Sequence, residues 1–474
     1  TVMGTTSTAS DGSAPDSSSA RSYCIPGDTT TCDPPVGHWQ LDENTGTSAY
    51  DSSGNSNTGN LGTGTSSPEW AIGKFGSGLD FDGTDDYVDM GADYATEFDG
   101  PFTLSAWVNT PVNPAQDQQV VVGKGRFTYY YLEIDTDDDR ANFDFDSGGS
   151  SAGFVQSPIE SAPDNTWVYI TGVYDGQYNS IYINGVLTNS VETTGDPDSG
   201  SGYNLNIGRD SRGPDGYFEG KIDDVRIYDY ARTPAQVAWD YNRGAPIGWW
   251  KFNECESTTA YDSSLDGNGD SNGNHGTIHI GATAPNTSAG TCASGNSTHA
   301  WYNGNSGKRG ASLDFDGVDD YVYTVDDPAL EFSNAITISA WIYPETVTGE
   351  YIILYYSNEY AVEILNGNLR LAIQGASFTW GNSGIPIPEN EWTHLTVNHD
   401  GNSTWTTYLN GIYRGTYSQT EGTQDDTDPL CIGDAYGGTT HPFNGKIDDV
   451  RIYNYLLTRQ QIQNNMNEGA VGFR

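Results

Sequence analysis

Gly220-Lys-Ile-Asp-Asp-Val-Arg-Ile-Tyr-Asp-Tyr230 returns almost letter for letter as Gly445-Lys-Ile-Asp-Asp-Val-Arg-Ile-Tyr-Asn-Tyr455, so the chain is built twice. Strand alternation puts Ile222, Asp224, Arg226 and Tyr228 on one face of this stretch and Asp223, Val225 and Ile227 on the other. On this reading Val225 and Ile227 face a core and Asp224 and Arg226 pair on the opposite face. Asp223 then points toward the core at the strand's entry end. A carboxylate there needs partners, and two kinds would serve: backbone N–H donors at a strand start, or a bound cation.

Working outward, other landmarks recur in the same order. Ala49-Tyr-Asp-Ser-Ser53 returns as Ala260-Tyr-Asp-Ser-Ser264, Leu79-Asp-Phe-Asp-Gly83 as Leu313-Asp-Phe-Asp-Gly317, and Ser105-Ala-Trp107 as Ser339-Ala-Trp341. The spacing drifts between copies, which places insertions in loops. A Ser/Thr/Gly-rich arm over residues 1–35 lacks apolar periodicity, a composition that stays disordered unless something outside it imposes order. The first unit is expected over 36–245 and the second over 246–474. The join Asn242-Arg-Gly-Ala-Pro246 is short enough to predict a stiff pair.

The 31 Tyr and 12 Trp supply large apolar bodies with polar tips, and 58 Gly supply turns, an all-β composition. In the first unit strands are expected near 78–82, 86–90, 102–109, 118–124, 128–135, 140–146, 167–174, 180–184, 204–208 and 218–228. Asp82-Gly83, Asn184-Gly185, Asp316-Gly317 and Asn410-Gly411 read as hairpin turns. Strands this dense with one apolar face close as a sandwich. Each unit ends in a short helix opened by a capping box, Thr233-Pro-Ala-Gln236 and Thr458-Arg-Gln-Gln461.

Sixty-four acidic against 20 basic residues give a net charge of −44, which argues against nucleic acid or anionic lipid as partner. The acidity serves solubility, as in a protein of a saline setting, or marks carboxylate-rich loops that hold calcium. No run of 18 apolar residues exists, so no membrane insertion is expected. Five cysteines fit an oxidising compartment. Cys24 is expected to pair with Cys32 and Cys255 with Cys292, leaving Cys431 within a strand. Glycosylation sequons begin at Asn286, Asn296 and Asn402.

In this order, and twice, the motifs resemble the laminin-G-like domains of the concanavalin A-like lectin/glucanase superfamily. The resemblance covers residues 36–474. It implies two tandem antiparallel jelly-roll sandwiches, extracellular or on the cell surface, used for adhesion or glycan binding, with structural Ca2+ at the rim. The loop Asp51-Ser-Ser-Gly-Asn-Ser-Asn-Thr-Gly59 resembles the family's calcium segment. Its ligands would be Asp51, Asn55, Asn57 and the Gly59 carbonyl, closed by Asp223, a set of hard oxygens suited to calcium. The second unit matches with Asp262, Asn274, the Gly276 carbonyl and Asp448, its loop being six residues longer. An Asx-turn network without metal is the alternative for both loops.

The superfamily also contains glucanases whose strand reads E-x-D-x-x-E, and Glu133-Ile-Asp-Thr-Asp-Asp138 comes near it. A retaining glycosidase needs two carboxyls about 5–5.5 Å apart. Here the last position is the shorter Asp138, and the second unit reads Glu363-Ile-Leu-Asn-Gly367, so no catalytic residue is assigned. Eight Trp recur in matched positions and read as core. Of the unmatched ones, Trp380 and Trp405, with Tyr408, are the candidates for stacking on a sugar ring. The function expected is non-catalytic adhesion or carbohydrate recognition, with a glycan or surface receptor as partner. The rival is a structural subunit of a surface filament or layer, a homopolymer joined through residues 1–35. A glycoside hydrolase ranks third.

Overall fold

The computed structural model describes Tyr23 and residues 33–92, 98–112, 114, 116–193, 195–198, 202–213, 216–264, 273–293, 298–301, 307–326, 330, 335–357, 359–373, 379–401, 403–418, 429–435 and 440–467. The expected 1–35 arm and the Cys24–Cys32 pair lie outside these residues, apart from Tyr23 and 33–35. The chain divides into two compact units, the main division falling between Gln236 and Val237.

Each unit is a two-sheet antiparallel sandwich. In the first, one sheet runs in the order Val186–Glu192, Tyr178–Ile183, Val168–Tyr174, Phe102–Asn109, Glu219–Tyr228, Ser77–Asp82 and Glu69–Ile72. Gly37–Trp39 also pairs with Glu219–Tyr228. The facing sheet carries Arg140–Ser147, Tyr130–Asp135, Gln118–Lys124, Leu205–Ile207, Val88–Gly91 and Gly59–Leu61. The second unit repeats the plan around Asn444–Tyr453, which lies between Gly248–Trp250 and Ile336–Pro344. Between the sheets of each unit sits one apolar core, built on Trp39, Leu104, Phe143 and Ile227 in the first and Trp250, Ile338, Val362 and Ile452 in the second.

The recurring terminal strand departs from simple alternation. Its pairing with Phe102–Asn109 slips between Asp223 and Arg226, and Asp224 takes φ +49°; the second unit does the same, with Asp449 at φ +52°. This β-bulge inserts one residue and resets the period. Ile222 therefore joins Val225 and Ile227 in the core, as Ile447 joins Val450 and Ile452. The expectation that Ile222 and Val225 lie on opposite faces is corrected accordingly.

Asn184-Gly185 and Asn410-Gly411 form the two-residue hairpin turns expected, all four residues at positive φ. Asp82-Gly83 does not form one. Ser77–Asp82 and Val88–Gly91 belong to different sheets, so this segment crosses the sandwich. Helices Pro234–Asn242 and Arg459–Met466 follow the terminal strands, and in the second the Thr458/Gln461 capping box is complete. Cys255 and Cys292 form a disulfide, and Cys431 is buried in Leu430–Ile432.

Candidate functional site

The bulge fixes what the two adjacent carboxylates can do. Asp224 faces Arg226, with Nη2 at 2.7 Å, and His38, with Nε2 at 2.6 Å. Asp449 pairs with Arg451 at 2.9 Å. Asp223 reaches instead to the Gly73–Ser77 loop, where the Phe75 N–H donates to Oδ2 at 2.8 Å. A Cβ on Gly73 would stand 2.6 Å from that oxygen, so the loop approaches only because glycine is there. Asp448 takes the Arg309 N–H at 2.7 Å in the same way.

Both carboxyls are wholly buried, and burial pushes Asp223 up to about 8 and Asp448 up to about 7. Neighbouring Asp224 and Asp449 push the same way, against the N–H donors. A carboxyl raised in this way stabilises the fold fully below its unfolded value near 4, and that stability is lost as pH rises through the folded value. Thermal unfolding at pH 6 and pH 9 is expected to show a lower midpoint at pH 9. Asp448→Asn should flatten the slope; an unchanged slope would refute the assignment.

The loop expected to hold calcium is tied by hydrogen bonds. Asp51 Oδ1 accepts from the N–H groups of His38 (3.0 Å) and Ser53 (2.9 Å), and Oδ2 from that of Asn57 (2.9 Å). Asn55 and Asn57 both donate to the Val36 carbonyl. Gly59 opens a strand, where a Cβ would strike Val88. Asp262 accepts from the Trp249 and Ser264 N–H groups, Asn274 lies near the Ile247 carbonyl, and Gly276 opens Gly276–His279. Asp51 and Asp223 thus draw their donors from different segments. The Asp51 oxygens face N–H groups, whose positive ends a cation would have to displace. Buried Oδ1 atoms of Asn57 and Asn274 remain without a donor in both units.

A second oxygen cluster forms where the sequence suggested turns. Asp82, Asp85 and Asp86 bring a carboxylate oxygen each to within 4.8 Å of one another, and Asp316, Asp319 and Asp320 do the same in the second unit. Crossing between sheets curls this segment: Asp86 Oδ2 accepts from the Asp82 N–H at 2.9 Å, and Asp320 Oδ2 from the Asp316 N–H at 3.2 Å. Asp86 Oδ1 and Asp319 Oδ1 are buried with no hydrogen-bond partner. Burial, reinforced by Asp82 and Asp85, pushes Asp86 up to about 6; burial and Asp316 push Asp320 up to about 7. Three carboxylates sharing one position with unsatisfied oxygen suit a hard divalent cation. Asn286 spends its amide on the Asp314 carbonyl and on Asp320, which keeps the first sequon from serving as a glycan acceptor in the folded unit.

Glu133 is buried and held by Arg126, Nε to Oε2 at 2.6 Å, and by Asn142 at 3.2 Å. Asp135 and Asp138 share Arg140. In the second unit Arg370 holds Glu363 at 2.5 Å, while burial and nearby Glu350 push Glu363 up to about 8. Each strand carboxylate is engaged by a guanidinium rather than set beside a second free carboxylate.

Of the stacking candidates, Trp405 is corrected. The strand Thr404–Leu409 alternates so that Trp405, Thr407 and Leu409 turn inward, and Trp405 is 0% exposed, edge-on to His399 at 4.8 Å. Tyr408 faces outward on the same strand, beside exposed Tyr413 at 5.9 Å, in a groove of about 250 Å³ with Asn398 and Asp400. Trp380 belongs to Thr379–Pro386, opposite Ala372; its side chain lies outside the described residues.

Two-sheet antiparallel sandwiches built twice on one plan define a tandem jelly-roll fold. The chain belongs to the concanavalin A-like lectin/glucanases superfamily, whose laminin-G model matches residues 82–238 and 316–463. Among solved structures it is similar to domain 4 of an extracellular GH43 arabinanase from Geobacillus stearothermophilus in complex with arabinotriose. Identity there is 21%, over 43% of this chain and 96% of that one, with a TM-score of 0.32. The ligand-binding domain of botulinum neurotoxin serotype D in complex with N-acetylneuraminic acid matches at 12% identity over 90% and 94%, TM-score 0.35. Mouse laminin α1 domains LG4-5 match at 12% over 76% and 84%, TM-score 0.23. At these values the likenesses carry no functional argument. No curated protein matches the sequence.

Proposed function

We propose that the chain is a non-catalytic binding protein that acts outside the cell, in adhesion or carbohydrate recognition, with calcium bracing each jelly roll at its Asp triad. The observation that carries the reading is the twice-built lectin-type sandwich whose strand carboxylates, Glu133 and Glu363, are both locked to arginines. The Cys255–Cys292 disulfide supports an oxidising location. No helix among the described residues is long and apolar enough to cross a membrane. Tyr23 packs into the first unit of its own chain, its hydroxyl 2.9 Å from His38 Nδ1 and its carbonyl taking a hydrogen bond from Arg232. This contact gives no support to an arm committed to a neighbouring molecule.

The test is a glycan array probed with the full chain in calcium, carrying neutral and acidic saccharides. Saturable binding to at least one saccharide class is the expected result. Folded, calcium-loaded protein that binds none of them would remove carbohydrate recognition and leave protein receptors as the target of adhesion.

A further inference from the structure

A cleft in the second unit runs against the charge of the whole molecule. Trp249, Lys251, Arg309, Asp449 and Arg451 line a space of about 460 Å³, and Arg309 also borders an adjoining one of about 570 Å³ that reaches Lys308 and Trp341. Four cations and one carboxylate therefore meet here, on a chain with 64 acidic and 20 basic residues. The cations are held in place. Lys251 Nζ lies 3.9 Å and the Arg451 guanidinium 4.4 Å from the Trp249 ring centroid, and Lys308 Nζ lies 4.4 Å from that of Trp341. Asp449 is already shared between Arg451 and the Trp249 indole N–H at 2.6 Å. Amide side chains, Asn253, Asn464 and Asn410, complete the walls.

The first unit shows that this cleft is not a by-product of the fold. Matching positions there are His38 for Trp249, Gln40 for Lys251 and Phe75 for Arg309, while Arg226 and Lys74 persist. Phe75 packs edge-on to Trp107 at 5.7 Å, and Tyr23 stacks edge-on to His38. Where the first unit has aromatic packing, the second has two added cations.

We propose that this cleft binds a short carboxylate-bearing saccharide, a reading that rests on carbohydrate recognition and specifies its ligand class. Lys251 and Lys308 pair with the carboxylate as point charges. Arg451, whose fork stays on Asp449, and Arg309, which donates to the Met466 carbonyl, add positive field, and the asparagine amides meet ring hydroxyls. A net charge of −44 repels long polyanions over several ångströms of solvent, which selects a ligand with few charges that enters the cleft whole. The two adjoining spaces together hold a ligand of a few sugar rings.

The test is calorimetric titration of the full chain, in calcium, with trigalacturonate and with a neutral trisaccharide of the same linkage, with a sulfated trisaccharide as a third arm. Trigalacturonate should bind more tightly than the neutral sugar, and the sulfated one should not exceed it. Lys251→Gln with Arg309→Phe, the first unit's own residues, should weaken trigalacturonate binding by about tenfold or more. Lys251→Arg should retain it, and Lys251→Glu provides a second loss variant should the double change disturb folding. Equal binding of acidic and neutral sugars, tighter binding of the sulfated one, or wild-type affinity in both loss variants overturns the proposal. Neutral glycans that still bind in those cases leave carbohydrate recognition standing, whereas silence of every saccharide removes both.

Discussion

Trp405→Ala is expected to destabilise the second unit by about 3–5 kcal/mol, the range for truncating a buried tryptophan, and to lower its unfolding midpoint by about 10 °C. The ring is 0% exposed within a core that also holds Val397, Leu409 and Ile336, so its removal opens a cavity that surrounding strands cannot close. Tyr408→Ala on the same strand should cost far less, because that side chain faces out toward Tyr413. Differential scanning calorimetry of the full chain separates the two cases. The comparison also decides the roles: Trp405 as a sugar platform requires lost binding with retained stability, and the packing requires the reverse. A midpoint within 2 °C of wild type would show that Trp405 is not the core residue described.

The same strand shows what was legible beforehand. Thr404, Trp405, Thr406, Thr407, Tyr408 and Leu409 alternate, and period two alone places Trp405 with Leu409, whether or not the first unit carries a matching tryptophan. Duplication, the sandwich and most first-unit strands follow from local signals, as Phe102–Asn109 and Gln118–Lys124 show. Glu69–Ile72 and Gly59–Leu61, at 4 and 3 residues, are too short to show a period-two signal. The bulge was hidden because an aspartate at positive φ obeys the pairing of two neighbouring strands rather than its own propensity. Asp82-Gly83 carries a hairpin's letters, but its flanking strands pair in different sheets, a long-range fact that no dipeptide records. The letters of the Asp triad, Asp-Gly-x-Asp-Asp, nevertheless stand in both copies.

Calcium removal is expected to lower the unfolding midpoint of each unit by roughly 5–10 °C, since free calcium at a hundred times its dissociation constant contributes about 2.7 kcal/mol per site. The sign follows from the triad itself. Without a cation, Asp86 and Asp320 are pushed up to about 6 and 7 by burial and by their neighbours, so near neutrality the folded chain either takes up protons there or bears uncompensated charge. A divalent cation accepts the orphaned Asp86 and Asp319 oxygens and replaces those protons. Calcium stabilisation should therefore weaken as pH falls through about 7 in the second unit and about 6 in the first. Asp86→Asn with Asp320→Asn gives the discriminating result, because the substitutions relieve repulsion in chelator yet remove charge the cation needs. Their midpoint should be at or above wild type in chelator and should no longer rise with calcium. A calcium response that survives these changes but disappears in Asp51→Asn with Asp262→Asn would move the ion to the loops tied by Asx turns. No response in the wild type would leave both acidic clusters as solvated turns, and the sandwich would owe its stability to the core alone.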